Sequence, residues 1–465
     1  MIRFAVLAIV VCVSVECTKS NPLNCSDGTC SDPMYPFCDS TAQFQSSVFT
    51  CIAVQCTPDA FVACRSDEAL SCNANGNDYN VTKCPNGCSQ DASGCLACVT
   101  NADCTSPTPK CTTGGACVQC LLNVDCTSAA AAICDQTNNM CRGCQSDDDC
   151  ASRVCDAPTG TCLDESQVLY VSANAHDFNC IPLDPCHLDV ASSLVNSSRF
   201  TIKMEAGTYV NSGSAVDFST GPATIHATGA TFSDQRLSTS GSGDLTIIGG
   251  TFTGSAGVTC NSAKAQLNYV SVAGGTMTAT TGCALTASHS QFTASSSISG
   301  QGGFVNVDHS LFSMSTAGAS QGGSVTVQNS VFNGSSVGFF NASGVISFST
   351  FYNSVVNCTD TINFPPHITI ANDVHFGTGS GSGDVLNGCP ARYSILQPQV
   401  ALVGTDHIVN ADPMFQNAAQ GDFHLLVHSP AVDAADPNAS ISDDYDGTTR
   451  PQGSASDMGA FEYKP

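Results

Sequence analysis

Three columns of apolar residues recur every twenty positions through the middle of this 465-residue chain. One reads Phe232, Phe252, Val272, Phe292, Phe312, Phe332 and Tyr352. A second reads Ile225, Leu245, Ala265, Leu285, Val305, Val325 and Val345. The third reads Ala227, Ile247, Leu267, Ala287, Val307, Val327 and Ser347. Like residues held in phase at a fixed interval mark a solenoid, whose repeats contact only their neighbours. Within a repeat, Val305 and Val307 alternate with Asn306 and Asp308, the two-residue period of a strand. Glycines such as Gly302, Gly303, Gly322 and Gly323 mark corners. The interval lacks the Leu/Asn signature of leucine-rich repeats, is too short for a propeller blade and holds no hexapeptide unit. The pattern predicts an all-β fold: a right-handed parallel β-helix solenoid with about twenty residues per coil, successive coils lying about 4.8 Å apart.

A further column, Tyr269, His289, His309, Asn329 and Ser349, falls where the alternating strand ends. Stacked histidines raise the question of a metal. A corner that requires φ > 0 accounts for them better, because Asn and His are enriched there. His289, His309 and Asn329 are expected to form a structural ladder up the stack, with no metal.

The chain before the coils has a different composition. Twenty-two of the thirty cysteines lie between Cys25 and Cys162. Three tandem modules starting at Cys98, Cys120 and Cys144 each open with Cys, five residues, Cys, and Asp103, Asp125 or Asp149 precedes the second Cys. Four cysteines per module make two bridges, in any of three connectivities. Modules this short cannot bury an adequate core, so small disulfide-rich domains are expected in place of zinc sites. They resemble the cysteine-rich repeats strung along secreted or surface proteins of myxobacteria. In the remaining chain the local pairings are Cys180 with Cys186, Cys260 with Cys283, and Cys358 with Cys389.

Arg3 followed by "FAVLAIVVCVSV" reads as a signal peptide over 1–17, too short to span a bilayer. No later segment is apolar enough to cross a membrane. The expected location is extracellular, with a lipid anchor at Cys17 on the outer surface as the alternative. The expected domains are then cysteine-rich modules over 18–165, the parallel β-helix over 166–411 and a C-terminal cap over 412–465. A short helix near Val190 to Val195 belongs to an N-terminal cap over the first coil.

The tail carries "ADPMFQNAAQGDFHLLVHSPAVDAAD", "DDYDGTTRPQG" and "SDMGAFEY" in order. This resembles the C-terminal segment of the choice-of-anchor Q family of right-handed β-helix proteins. Asp412, Pro413, Phe415, Gly421, Asp422, Leu425, Ser429, Pro430 and Asp433 match its first half. Asp444, Asp446, Gly447, Arg450, Pro451, Asp457, Gly459 and Glu462 match its second. The resemblance implies an extracellular or surface-attached protein, generally without known activity. Asp443, Asp444 and Asp446 stand at calcium-loop spacing but lack the bidentate Glu of an EF-hand. They are weak calcium candidates in a segment better read as a folded cap, with Arg450 pairing to one of these acids.

Acids outnumber Lys plus Arg 39 to 14, a net charge of −25, which disfavours nucleic acid and anionic lipid as partners. Outward coil positions such as Asn306, Asp308, Thr326 and Gln328 are polar and small. A polysaccharide lyase or hydrolase would need acid, base and cation gathered within reach. Within 170–411 the cations are Arg199, Lys203, Arg236, Lys264 and Arg392, and Asp308 has only Ser288 and Gln328 at its column neighbours. No catalytic or cofactor-binding residue is assigned. The expectation is a secreted or cell-surface, non-catalytic binding and display protein whose partner is a polysaccharide or cell-surface protein. A polysaccharide-degrading enzyme is the alternative.

Overall fold

The structure is a computed structural model. It describes residues 24–465 apart from 41–47, 54–55, 90, 92–93, 176–178, 211–212, 360–366, 378–385, 388 and 397–406. The signal segment, with Cys12 and Cys17, lies outside the described residues. Two compact units are present: Met1–Gln145 with Ala157–Thr161, and Ser146–Asp156 with Cys162–Pro465.

The first unit is built from short hairpins and bridges. Its complete modules use one connectivity, first cysteine to third and second to fourth: Cys98–Cys111 with Cys104–Cys117, then Cys120–Cys134 with Cys126–Cys141. The aspartate before the second cysteine ends a single 3-10 turn and caps it. Asp103 accepts the amides of Val99 and Thr100 at 3.0 and 2.8 Å, and Asp125 those of Leu121 and Leu122 at 2.9 and 3.0 Å. These bonds satisfy donors that a helix start leaves free. Asn101 and Asn123, two residues earlier, accept the amide of the third cysteine at 2.8 and 2.9 Å. Every cysteine from Cys25 onward is disulfide-bonded.

The third module is divided, with Ser146–Asp156 and Cys162 in the second unit and Ala157–Thr161 in the first. Residues 146–156 pack with the coils because Val154 joins Val168 and Tyr170 in one buried cluster. The Tyr170 hydroxyl also donates to the Ser152 carbonyl at 2.9 Å. Asp147 takes the place of Asn101 and Asn123 and accepts the Cys155 amide at 2.9 Å. Its other carboxylate oxygen meets Lys203 at 2.6 Å and His226 at 3.3 Å.

The second unit is a parallel β-helix of three sheets. Two contain eleven strands each and the third nine, each pairing in parallel with the strand one coil away. Val, Ile and Phe at alternate positions point inward, where a pleated, close-packed interior favours them. Phe232 and Phe252 stack at 4.4 Å between ring centroids, and Phe292, Phe312 and Phe332 at 4.5 and 4.6 Å, all fully buried. At the entry, Leu188–Leu194 forms a helix beside the Cys180–Cys186 bridge, whose Cα atoms lie 4.6 Å apart. Cys260–Cys283 links neighbouring coils at 5.8 Å, and Cys358–Cys389 spans 5.3 Å between Cα atoms near the last coils.

The twenty-residue register breaks at both ends. Ile225 pairs with Ile247 and not with Leu245, a step of twenty-two. At the other end Phe332 pairs with Phe351, Val325 with Gly344 and Val327 with Ile346. That coil has nineteen residues, so the inward residues are Phe351 and Ile346 in place of Tyr352 and Ser347. Val345 faces outward and is 40% exposed. The aromatic column continues to His375, whose ring lies 4.6 Å from that of Phe351.

The same slip changes the corner column. Tyr269, His289, His309 and Asn329 all have φ between 44° and 58°, and the next member is Phe348 at 49°, not Ser349. The rings stack, Tyr269 on His289 at 4.9 Å and His289 on His309 at 4.8 Å. The hydrogen-bonded ladder lies one residue later and is made of serines. Ser310 Oγ accepts the Ser290 amide at 3.1 Å, Ser330 that of Ser310 and Ser349 that of Ser330, both at 3.2 Å. Asp373 continues it, accepting the Ser349 amide at 2.7 Å, and burial holds its carboxyl well above the usual range.

The C-terminal segment runs along the side of the coils. Outward positions of the second sheet are polar early, as at Ser271 and Gln291, and apolar later, at Val331, Tyr352, Val374 and Ile395. Phe423, Leu425, Ala431, Met458, Ala460 and Phe461 cover this late surface. Ala460 donates to Thr350 Oγ1 at 2.9 Å and Asp436 to Asn372 Oδ1 at 2.7 Å. The tail is therefore a lateral cover, seated where the sheet exposes apolar residues to it. Its centre is Arg450. The guanidinium meets Glu462 at 3.0 Å, donates to the carbonyls of Asp457 and Gly459 at 2.8 Å each, and lies 5.0 Å over the Phe348 ring. Its acidic partner is thus Glu462 and none of Asp443, Asp444 and Asp446.

Candidate functional site

The third sheet offers an uncharged polar surface. Its strands Gly257–Asn261, Thr276–Thr280, Ser297–Gln301, Thr316–Ser320, Ser336–Phe340 and Val355–Thr359 contain no charged residue. Parallel pairing places Ser299, Gly318, Gly338 and Asn357 in one outward column and Gln301, Ser320, Phe340 and Thr359 in the next. The two glycines interrupt a row of side chains. An open depression of about 280 Å³ results, bordered by Phe340, which is 52% exposed. A polar rim beside an exposed aromatic suits a ligand that has both hydroxyls and an apolar face.

Two acid–histidine groups are present, one joining a coil to the tail and one within the tail. His309 Nδ1 lies 2.9 Å from Asp308, and its Nε2 lies 3.7 Å from Asp443 of the tail. Asp308 raises the pKa of His309, whereas burial lowers that of His289. Asp308 therefore has an ionic partner, His309, that its own column does not supply. The His309 side chain is only 8% exposed, which leaves no room for a substrate at its ring. His424 is held between Asp422 at 2.6 Å and Asp446 at 2.7 Å. Burial alone would lower its pKa, but the two carboxylates outweigh that and raise it. Both ring nitrogens are engaged, so neither is presented for proton transfer or for a metal.

The three calcium candidates do not converge. Asp443 faces His309 and Asp446 faces His424. Asp444 is fully buried and accepts the amides of Asp446, Thr448 and Glu462 at 3.0, 2.7 and 2.8 Å. Among the described residues, every group of three or more close enough to share a metal consists of disulfide-bonded cysteines. Two coil cations are committed to structure as well. Lys203 pairs with Asp147, and Arg199 donates to the carbonyls of Val168 and Cys180 at 2.9 and 3.0 Å.

Sequence reasoning missed Phe340, Gly318 and Gly338 as a group. They lie twenty or more residues apart or on alternate positions, and their juxtaposition comes from the coil register. The available signal was an aromatic at an outward strand position in a surface otherwise made of small and uncharged polar residues.

Among the described residues no helix is long and apolar enough to cross a membrane. No protein-family model and no curated protein sequence matches the chain. Of solved structures, the crystal structure of pectate lyase Pel9A is similar at 14% sequence identity and a TM-score of 0.37, over 65% of this chain and 98% of that one. Likeness of that order carries no inference about activity.

Proposed function

We propose that the protein is a secreted or cell-surface, non-catalytic binding and display protein that contacts a neutral glycan through an outer face of the β-helix. The observation that carries this reading is the third sheet, where six successive strands without a charged residue present Ser, Thr, Asn and Gln. Hydroxyl and amide side chains offer both donors and acceptors, as sugar hydroxyls require. A net charge of −25 opposes acidic polymers in the absence of a bridging cation. The disulfide density fits an oxidising compartment. The tail's resemblance to the choice-of-anchor Q family supports surface attachment, with Cys17 as the lipid-anchor alternative to free secretion.

The test is a glycan array probed with the whole protein, beside incubation with neutral and acidic polysaccharides with and without calcium. Retention of neutral glycans without new reducing ends or unsaturated products is expected. Sustained product release, lost on substituting an acidic coil residue, would establish the polysaccharide-degrading alternative. Absence of glycan retention would overturn the glycan-binding reading.

A further inference from the structure

We propose that the depression formed by Gly318, Gly338 and Phe340 is a pyranose subsite for a neutral glycan with equatorial hydroxyls. This rests on the glycan-binding reading above and names its contact point. A lone exposed aromatic is ordinary on a protein surface. Phe340 differs in standing beside a gap in an otherwise continuous row.

Coil register explains the gap. Gly318 and Gly338 are paired neighbours in one column, flanked by Ser299 below and Asn357 above. A Cβ on Gly318 would come within 2.7 Å of the Gly338 carbonyl oxygen, so that position requires glycine. A Cβ on Gly338 would meet nothing within 4 Å, so packing does not explain the absence of a side chain there. Two missing side chains on adjacent coils, about 4.8 Å apart, leave a floor of bare backbone roughly one sugar ring across.

Size and chemistry select the occupant. At about 280 Å³ the depression is slightly smaller than the roughly 300 Å³ at which drug-sized sites begin. A polypeptide partner would need about 800 Å² on this side. The absence of charged residues in the surrounding strands selects against uronates, phosphates and amines. Phe340 supplies a flat apolar face. A pyranose with equatorial hydroxyls has axial C–H groups on both faces, which pack on an aromatic ring while the hydroxyls point sideways. Sideways lie Gln301, Ser299, Ser320 and Thr359, which supply donors and acceptors. An axial hydroxyl would place a polar group on one of those two faces.

The test is calorimetric titration of the whole protein with cellohexaose, xylohexaose and a galacturonic acid hexamer. Three variants accompany it: Phe340→Ala, Gly338→Val, and Phe304→Ala as a control at an exposed aromatic of the first sheet. Binding of a neutral hexamer is expected, weakened up to about tenfold by Phe340→Ala, the scale of a lost aromatic contact. Gly338→Val should weaken it by at least as much while melting no earlier than the parent, since a β-branched residue suits an open strand position. That pairing separates a filled site from a misfolded protein. Equal binding by both variants, or loss with Phe304→Ala alone, would overturn the subsite while leaving the glycan-binding reading intact. Preference for the galacturonic acid hexamer, or no binding of either neutral hexamer, would also overturn it. Glycan-binding itself would then stand or fall on the array.

Discussion

His375 lies directly on Phe351 in the interior column, with ring centroids 4.6 Å apart and planes 7° from parallel. It occupies a position that Phe fills at 292, 312, 332 and 351. It is fully buried, and neither ring nitrogen has a hydrogen-bond partner among the described residues. Burial pushes its pKa down to about 3.

The sign of the pH effect follows. The unfolded histidine titrates near 6.5, so between about pH 6.5 and 3 the unfolded chain binds a proton that the folded chain excludes. The folded state loses stability from this site as pH falls through that window. His375→Phe should abolish this part of the acid sensitivity. At neutral pH it should also stabilise by about 1–3 kcal/mol, the cost of a buried polar group without a partner. Melting curves from pH 7 to pH 4 check it. Parallel curves for parent and variant would contradict the assignment.

Phe312 is gripped above and below by Phe332 and Phe292 at 4.6 and 4.5 Å. Phe312→Ala should cost about 3–5 kcal/mol, because hydrogen-bonded coils on both sides cannot collapse into the cavity. Chemical denaturation followed by far-ultraviolet circular dichroism measures it. A cost below about 1 kcal/mol would show a looser interior than this column implies.

The Arg450–Glu462 pair is 0% and 1% exposed at its side chains. Removing either partner leaves the other charge buried, so Arg450→Ala or Glu462→Ala should each cost about 3–5 kcal/mol. The damage should be local, since the coils below have their own ladders. Hydrogen exchange should accelerate across the tail and at Thr350 and Asn372, and remain slow at Phe292 and Val307. Uniform acceleration would mean that the tail and coils unfold as one unit.

Reduction should separate the two units. The cysteine modules have cores made largely of cysteine, and each bridge lost typically costs 2–5 kcal/mol. The β-helix retains a continuous apolar core without its three bridges. Residues 25–465, denatured without reductant, should titrate with almost no free thiol. After reduction, exchange protection should vanish first from Cys98 to Cys141. Several free thiols before reduction would contradict full pairing.

The sequence by itself determined the β-helix, because its apolar columns stay in phase from Phe252 to Phe332 and only a parallel stack of coils buries columns of that period. It did not determine the register beyond Phe332. Phe351 and Tyr352 are both aromatic, and Val345 and Ile346 both apolar, so a coil of nineteen or of twenty residues reads equally well. Backbone ladders and the Ser330–Ser349 hydrogen bond decide for nineteen. The tail's seat was likewise a tertiary decision. His309 with Asp443, and Thr350 with Ala460, are more than a hundred residues apart, and nothing local in either segment names the other. The depression beside Phe340 has the same origin. Its glycines and aromatic are unremarkable residues of separate strands, and it exists only because parallel pairing sets two bare positions side by side.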